Sequence, residues 1–207
     1  MGSLTKITQH QGLDITGYNS GSFGPAILLL HDWWGCTPSV RNLADRLANH
    51  EHQVVALDYW QGLQPANIKE AEQKLFSVSL EDLTSVILPD VITRTGVSHL
   101  VGMGFGGTLA LMVQENMPGI KSVTCCYGLP PAGRVKSVRA PLMVVRATRN
   151  RWDDPAHIQA YLDLAPRAQV MNHDCDAEFL NETAASFEFQ RLRVTAETIS
   201  SWVKSNN

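Results

Sequence analysis

Short runs of unbroken apolar residues recur along this chain: AILLLH (26–31), QVVALD (53–58), HLVGMG (99–104), IKSVTCCYG (120–128) and PLMVVRA (141–147). A strand that faces water on one side alternates apolar with polar residues. One that does not alternate must be covered on both faces. Helical patterns stand between most of these runs. Thr37 is placed to cap a helix that opens on Pro38 and turns Val40, Leu43, Ala44 and Leu47 to one face. Helices are predicted over 68–76 and 80–94, the second broken or kinked at Pro89. Others are predicted over 106–117, stopped by Pro118-Gly119, and over 155–164. A last strand, AQVMNH (168–173), precedes a long helix over 182–204, with Phe187, Leu192, Ile199, Trp202 and Val203 as core contacts. The segment ITQHQGLDITGYNSG reads as a hairpin around Gly12. Right-handed crossovers then imply a single α/β domain over 1–207: a mostly parallel, doubly wound sheet with helices on both faces and an N-terminal β-hairpin.

Composition narrows the classes of function. A length of 207 residues suits one well-buried core. The net charge of −3 gives no reason to expect a basic face, so nucleic acid is not an expected partner. No apolar run approaches the ~20 residues of a membrane span, so no membrane partner is expected. The N-terminus shows no signal-peptide core, and Lys6 stands where a myristoylation start wants Ser or Thr. The four cysteines, Cys36, Cys125, Cys126 and Cys175, have no CxxC spacing. Reduced thiols and a cytoplasmic location are expected, with a small molecule as ligand and a monomer or homodimer as the assembly.

In a sheet of this kind the site lies at the carboxyl ends of the strands. Those ends carry His31-Asp32-Trp33-Trp34, Asp58-Tyr59-Trp60, Gly104-Phe105, Cys126-Tyr127, Arg146 to Arg151, and His173 to Phe179. GMGFGG (102–107) lies between a strand and a helix, where an α/β-hydrolase carries its nucleophile in a G-x-nucleophile-x-G turn. Its centre is Gly104, which has no side chain with which to attack.

PAILLLHDWWG, ALDYWQG, VGMGFGG, CCYG, APLMVV and EFLNE, in that order and spacing, resemble the dienelactone hydrolase family from about residue 5 to 204. The resemblance implies an α/β-hydrolase fold. It also implies a Cys-His-Asp triad that opens lactones or esters, the Cys in G-x-C-x-G-G and a Glu resting against it. Here the nucleophile position is Gly104. The family's H-G-F motif falls on Ala177-Glu178-Phe179, so Ala177 replaces the histidine. The aspartate position is Asn150 or Arg151, and the glutamate position is Asp32. Losing the nucleophile or the base alone is nearly as damaging as losing the whole triad. Ordinary triad hydrolysis is therefore not expected.

What remains can abstract a proton beside a carbonyl. The backbone amides of Trp33 and Phe105 stand at the oxyanion-hole positions. Asp32 is the candidate acid/base, its pKa raised if Trp33 and Trp34 exclude water. His31 and Tyr127 are candidate proton relays. Trp34, Trp60, Gly104, Cys126, Arg146 and Ala177 are candidate substrate contacts. No cofactor or metal is expected, since His173, Asp174 and Asp176 lack a second suitably spaced histidine. The sequence thus favours a non-hydrolytic isomerase, cyclase or lyase acting on a small carbonyl or lactone-like compound.

Plainer readings stand beside these. Asp32 could cap the following loop or pair with Arg146 or Arg149. His31 could be a satisfied core histidine, Trp33 and Trp34 simple packing, and the Tyr127 hydroxyl locally bonded. The basic turn Arg146, Arg149, Arg151 could hold an anionic group or be solvated. Two other functions remain open: a catalytically inactive binding protein, and an esterase rearranged around Cys36 or Cys126 with His31 or His173.

Overall fold

The computed structural model describes residues 2–131, 133–151 and 153–207. Its centre is an eight-stranded sheet in the order β1-β2-β4-β3-β5-β6-β7-β8. The strands are β1 (Ser3–His10), β2 (Leu13–Ser20), β3 (Ala26–Leu30), β4 (Gln53–Asp58), β5 (His99–Met103), β6 (Ser122–Cys126), β7 (Leu142–Ala147) and β8 (Ala168–His173). Strands β3 to β8 run parallel, and the β1–β2 hairpin joins antiparallel through β2 and β4. Both central residues of the hairpin turn, Gln11 and Gly12, have positive φ (48° and 80°). That turn matches the natural twist of two paired strands.

The unbroken apolar runs are buried on both faces, as expected. Leu28 and Leu30 belong to one core layer, with Leu88 and Val91 of α4 (Leu88–Thr95) and Leu109 of α5 (Phe105–Val113). Ile27 and Leu29 belong to the other, with Leu43 and Leu47 of α1 (Pro38–Asn49) and Trp202 of α7 (Phe189–Ser205). Successive side chains of a strand point to opposite faces, so one run feeds both layers. Fully burying each such leucine stabilises the fold by about 2 kcal/mol. The sheet's two edges are less covered: β8 shows Val170 to solvent. Among the described residues no helix is long and apolar enough to cross a membrane.

Several boundaries differ from expectation. Thr37 has the extended backbone of a cap, but its side chain makes no capping hydrogen bond; Pro38 follows it as expected. Pro89 does not break its helix. The chain from α3 (Leu80–Asp82) to α4 widens into a π-helical segment, Leu83–Ile87, and the Leu88 amide donates to the Leu83 carbonyl. A proline ring clashes with the carbonyl four residues back, and widening by one residue relieves it. The last helix begins at Phe189, not at 182. Asn181 holds the preceding segment in a turn, its Oδ1 accepting from the Thr183 amide at 3.1 Å and hydroxyl at 2.9 Å. Phe187 still packs on the core from that turn. Two further helices, α2 (Ile68–Ser77) and α6 (Pro155–Leu164), flank the carboxyl ends of the strands.

Candidate active site

The turn after β5 keeps the geometry of a nucleophile elbow without a nucleophile. Gly104 sits at φ 50° and ψ −117°, its amide donating to the Cys126 carbonyl at 2.8 Å. The glycines around it are forced by close approach. A Cβ on Gly106 would lie 2.2 Å from the Leu30 carbonyl oxygen, and one on Gly102 would lie 2.2 Å from the Gly106 backbone. Helix α5 therefore starts directly against the end of β3.

Above this turn opens a cavity of about 700 Å³. Its floor is Asp32, Trp33, Gly104, Phe105, Tyr127 and Gly128. One wall comes from the strand β7 end and its loop (Arg146, Arg149, Asn150, Arg151, Asp153), with His157 and Ile158 of α6. Ile68 and Leu75 of α2 close another side, and Asp176, Ala177 and Glu178 enter from the loop after β8. Phe105 opens helix α5 and Trp33 lies in the loop after β3, both on the cavity lining.

Asp32 is the chemically distinctive group. It is buried, with 3% of its surface exposed. Its Oδ1 accepts the Trp34 amide at 2.9 Å, while Oδ2 has no partner among the described residues. Burial pushes its carboxyl up to about 7; the Trp34 amide opposes that shift, and the nearby Glu178 charge adds to it. The loop-capping reading of Asp32 thus describes one oxygen only. The pairing with arginine does not occur: Arg146 makes two bonds to Asp153, at 3.1 and 2.6 Å, and Arg149 approaches Asp174 at 3.7 Å.

The strand-end residues divide by the direction of their side chains. Asp32, Trp33, Gly104, Phe105, Tyr127, Arg146 and Ala177 line the cavity; His31, Trp34, Trp60 and Cys126 do not. His31 is fully buried behind the floor, stacked on Tyr59 with ring centroids 3.8 Å apart, and edged by Trp60. Its Nδ1 donates to the Asp32 carbonyl at 2.6 Å, and burial pushes it down to about 3, so the ring stays neutral. That is a core histidine rather than a relay. Trp60 lies in the core layer beneath it, and Trp34 packs edge-on against Trp33. Cys126 points into the opposite core layer. Tyr127 reaches the cavity from a left-handed backbone, φ 45°. Its buried hydroxyl has no partner among the described residues, contrary to the locally bonded reading. Burial holds that phenol well above its ordinary range, so it remains a donor.

None of the four cysteines lines the cavity, and all are buried. His173 is engaged by Thr195 at 2.9 Å. The rearranged thiol–imidazole site therefore does not assemble. The cavity residue least visible in the sequence is Glu178. Its Oε1 accepts the Trp33 indole N–H at 2.8 Å, and its backbone is left-handed at φ 65°. Its one signal is a side chain at a position where the resemblance places glycine.

An eight-stranded, mostly parallel sheet with a strand–elbow–helix turn at its centre is the architecture of an α/β-hydrolase. The chain belongs to the dienelactone hydrolase family, whose sequence model matches residues 15–162. It is 22% identical over 170 residues to a proposed carboxymethylenebutenolidase of Aquifex aeolicus (strain VF5), covering 73% of each chain. Among solved structures it is similar to a dienelactone hydrolase-like promiscuous phosphotriesterase from metagenomic libraries, with a TM-score of 0.76 and 15% identity, covering 99% of this chain and 98% of that one. It is also similar to the dienelactone hydrolase of Anabaena variabilis ATCC 29413, with a TM-score of 0.61 and 17% identity, covering 100% and 98%. At these identities the structural likeness carries the fold alone.

Proposed function

We propose that this family member is a non-hydrolytic enzyme, an isomerase, cyclase or lyase, that moves a proton on a small carbonyl or lactone-like compound. The observation that carries the proposal is Asp32: a buried carboxyl on the cavity floor, with one oxygen unpartnered, beside the vacated nucleophile position. A group titrating at about 7 is present in both forms at neutral pH, which is what a general acid/base needs.

The substrate carbonyl lies over the elbow, its oxygen received by the amides of Phe105 and Trp33. Such donors stabilise developing negative charge by about 3 kcal/mol each in acyl-transfer enzymes. Asp32 removes the adjacent C–H proton and the enolate charge collects on the held oxygen. The proton then returns from Asp32 to a different atom, or leaves with a departing group. The Tyr127 hydroxyl, kept protonated by burial, supplies a further donor to the same space. On this reading a covalent ester route through the elbow, the chemistry in the names of the relatives, lacks its groups here: Gly104 offers no attacking atom and Ala177 no base.

The test is solvent deuterium incorporation into small carbonyl and lactone compounds, read by mass spectrometry, for the native protein and Asp32→Asn. Exchange that disappears in the variant supports the proposal. Exchange that survives unchanged removes Asp32 from the chemistry, and tight binding with no exchange makes the cavity the receptor site of an inactive relative.

A further inference from the structure

Two residues of the cavity floor each carry a buried polar atom with no partner among the described residues: Oδ2 of Asp32 and the hydroxyl of Tyr127. Asp32 follows β3 and Tyr127 follows β6, the strands on the two sides of β5. They converge over Gly104, which follows β5 itself. A Cβ on Gly104 would lie 3.1 Å from the Asp32 Cβ and 3.6 Å from Cε2 of the Tyr127 ring. Each side chain is anchored elsewhere. The Trp34 amide holds Asp32 Oδ1 at 2.9 Å, and the Tyr127 ring packs edge-on against Phe179 with centroids 5.3 Å apart. A buried polar atom without a partner is costly, so two of them around one open position call for a bound group that serves both. The phenol is held protonated and offers a hydrogen, while the carboxyl is present in both forms. An oxygen that can carry or lose one proton satisfies the two together. As O–H it accepts from Tyr127 and donates to the Asp32 carboxylate; as O⁻ it accepts from Tyr127 and from the Asp32 carboxylic acid. An ether or ester oxygen has no proton for the carboxylate.

We infer that Asp32 and Tyr127 form a receptor for one enolic hydroxyl, and that the substrates are 1,3-dicarbonyl compounds, which enolise at the carbon between their two carbonyl groups. The inference rests on the proton-abstraction function proposed above and names its substrate class. The two substrate oxygens have separate donors: the elbow amides proposed above for one, the Tyr127 hydroxyl for the other. Asp32 takes the proton from the carbon between the carbonyls. The C–H electron pair becomes the carbon–carbon double bond of the enolate, and charge settles on the oxygen that Tyr127 holds. The proton on Asp32 then passes to that oxygen. The keto form has become the enol, the carboxylate is regenerated, and nothing is oxidised or reduced. A carboxylate titrating at about 7 is a weak base for the carbon beside an isolated ketone, and a carbon flanked by two carbonyls is far more acidic. Trp33, Phe105, Leu129 and Val144 add apolar lining that suits the flat, conjugated enol.

The first arm of the experiment measures binding of 4-nitrophenol, an acidic hydroxyl on a flat ring, and of 4-nitroanisole, its methyl ether, by titration calorimetry. The native protein should bind the phenol at least about 10-fold more tightly than the ether, as expected for hydrogen bonds to a charged group. Tyr127→Phe should lose about 10-fold in affinity for the phenol and nothing for the ether. It should melt at the native temperature or above, because the deleted hydroxyl has no partner in the protein, so misfolding cannot explain the loss. Phenol affinity in Tyr127→Phe within about twofold of native, or an ether that binds as tightly as the phenol, overturns the receptor. The second arm follows the decay of the enol of 2-acetylcyclohexanone by ultraviolet absorbance after dilution into buffer. The native protein should speed it, and Asp32→Asn should lower that acceleration at least about 100-fold, in line with loss of a general base. Acceleration that needs Asp32 but is the same in Tyr127→Phe overturns the receptor and leaves the proton-abstraction function in place. No acceleration by the native protein, or an Asp32→Asn variant as active as native, overturns that function, whatever the phenol does.

Discussion

The Asp32 Cβ stands 3.1 Å from where a Cβ on Gly104 would lie, tighter than an ordinary van der Waals contact, so a side chain at Gly104 requires Asp32 to give by a few tenths of an ångström. The two positions cannot both be filled at ordinary contact distance. On the function proposed above, a thiol placed at Gly104 is not expected to create a hydrolase. Gly104→Cys is expected to lose about 1–2 kcal/mol of stability, through the crowding and the left-handed backbone, φ 50°. It should hydrolyse 4-nitrophenyl acetate no faster than the parent, because Ala177 supplies no base. A burst of nitrophenol with sustained turnover would show that a base is present after all.

Asp32 makes the stability of the protein depend on pH. Its carboxyl rises from 3.8 to about 7 on folding, so it contributes stability fully below about pH 4 and loses that contribution as the pH climbs through 7. The full span is on the order of 4 kcal/mol. Asp32→Asn does not ionise, so its melting temperature relative to the parent should be higher at pH 8 than at pH 4.5. A pH-independent difference would mean that the carboxyl is not buried in the native protein.

Two buried histidines act over the same pH range in the opposite sense. His99, bonded to Ser122 at 2.8 Å, is lowered from 6.5 to about 4, and His31 to about 3. Both favour the folded state fully above pH 6.5 and lose that contribution as the pH falls toward those values. For His99 the loss is roughly 3 kcal/mol. Because Asp32 acts in the opposite sense over this range, the informative quantity is the difference: on going from pH 7 to pH 4 the parent's urea midpoint should fall relative to that of His99→Gln, and parallel slopes would place the acid sensitivity elsewhere.

The thiols should be silent. Burial pushes Cys36 up to about 11, Cys126 up to about 12, and Cys125 and Cys175 upward as well. Ellman's reagent should label none of the four within minutes in native buffer and all four in guanidinium. Rapid labelling of one cysteine in the folded protein would reopen a thiol mechanism.

Gly106 holds helix α5 against β3, and any side chain there meets the Leu30 and His31 carbonyl oxygens at 2.2 and 2.6 Å. Gly106→Ala is expected to destabilise by about 3 kcal/mol or more, measured by urea unfolding. Near-neutral behaviour would show that the helix can slide away from the strand.

The architecture was largely legible because it follows from local arithmetic. AILLL has no polar face, so Ile27 and Leu29 must enter one layer and Leu28 and Leu30 the other. The misplaced start of the last helix came from a different cause. Residues 182–188 have no helix-breaking proline or glycine, and bonds to groups outside them turn them aside: Thr183 to Asn181, the Glu182 amide to Ser39, and the Ser186 hydroxyl to the Ala177 carbonyl. At the site, strand ends located Asp32, Gly104, Tyr127 and Arg146. They could not decide which side chains turn upward. His31 and Trp60 sit one or two residues past their strands, where loop dihedrals rather than strand alternation set direction, and both turned into the core. Glu178 was out of reach for the same reason: its place depends on a long loop and on an indole contributed 145 positions away in the chain.

Strand order sets a ruler for whatever occupies the cavity. The Asp32, Gly104, Tyr127 and Arg146 positions follow or end β3, β5, β6 and β7, which lie side by side in that order. Three steps of about 4.8 Å separate the first from the last, or about 14 Å of backbone. A molecule of acetate size can engage one end only. Contact with both ends calls for a ligand several fused rings or a long acyl chain in extent.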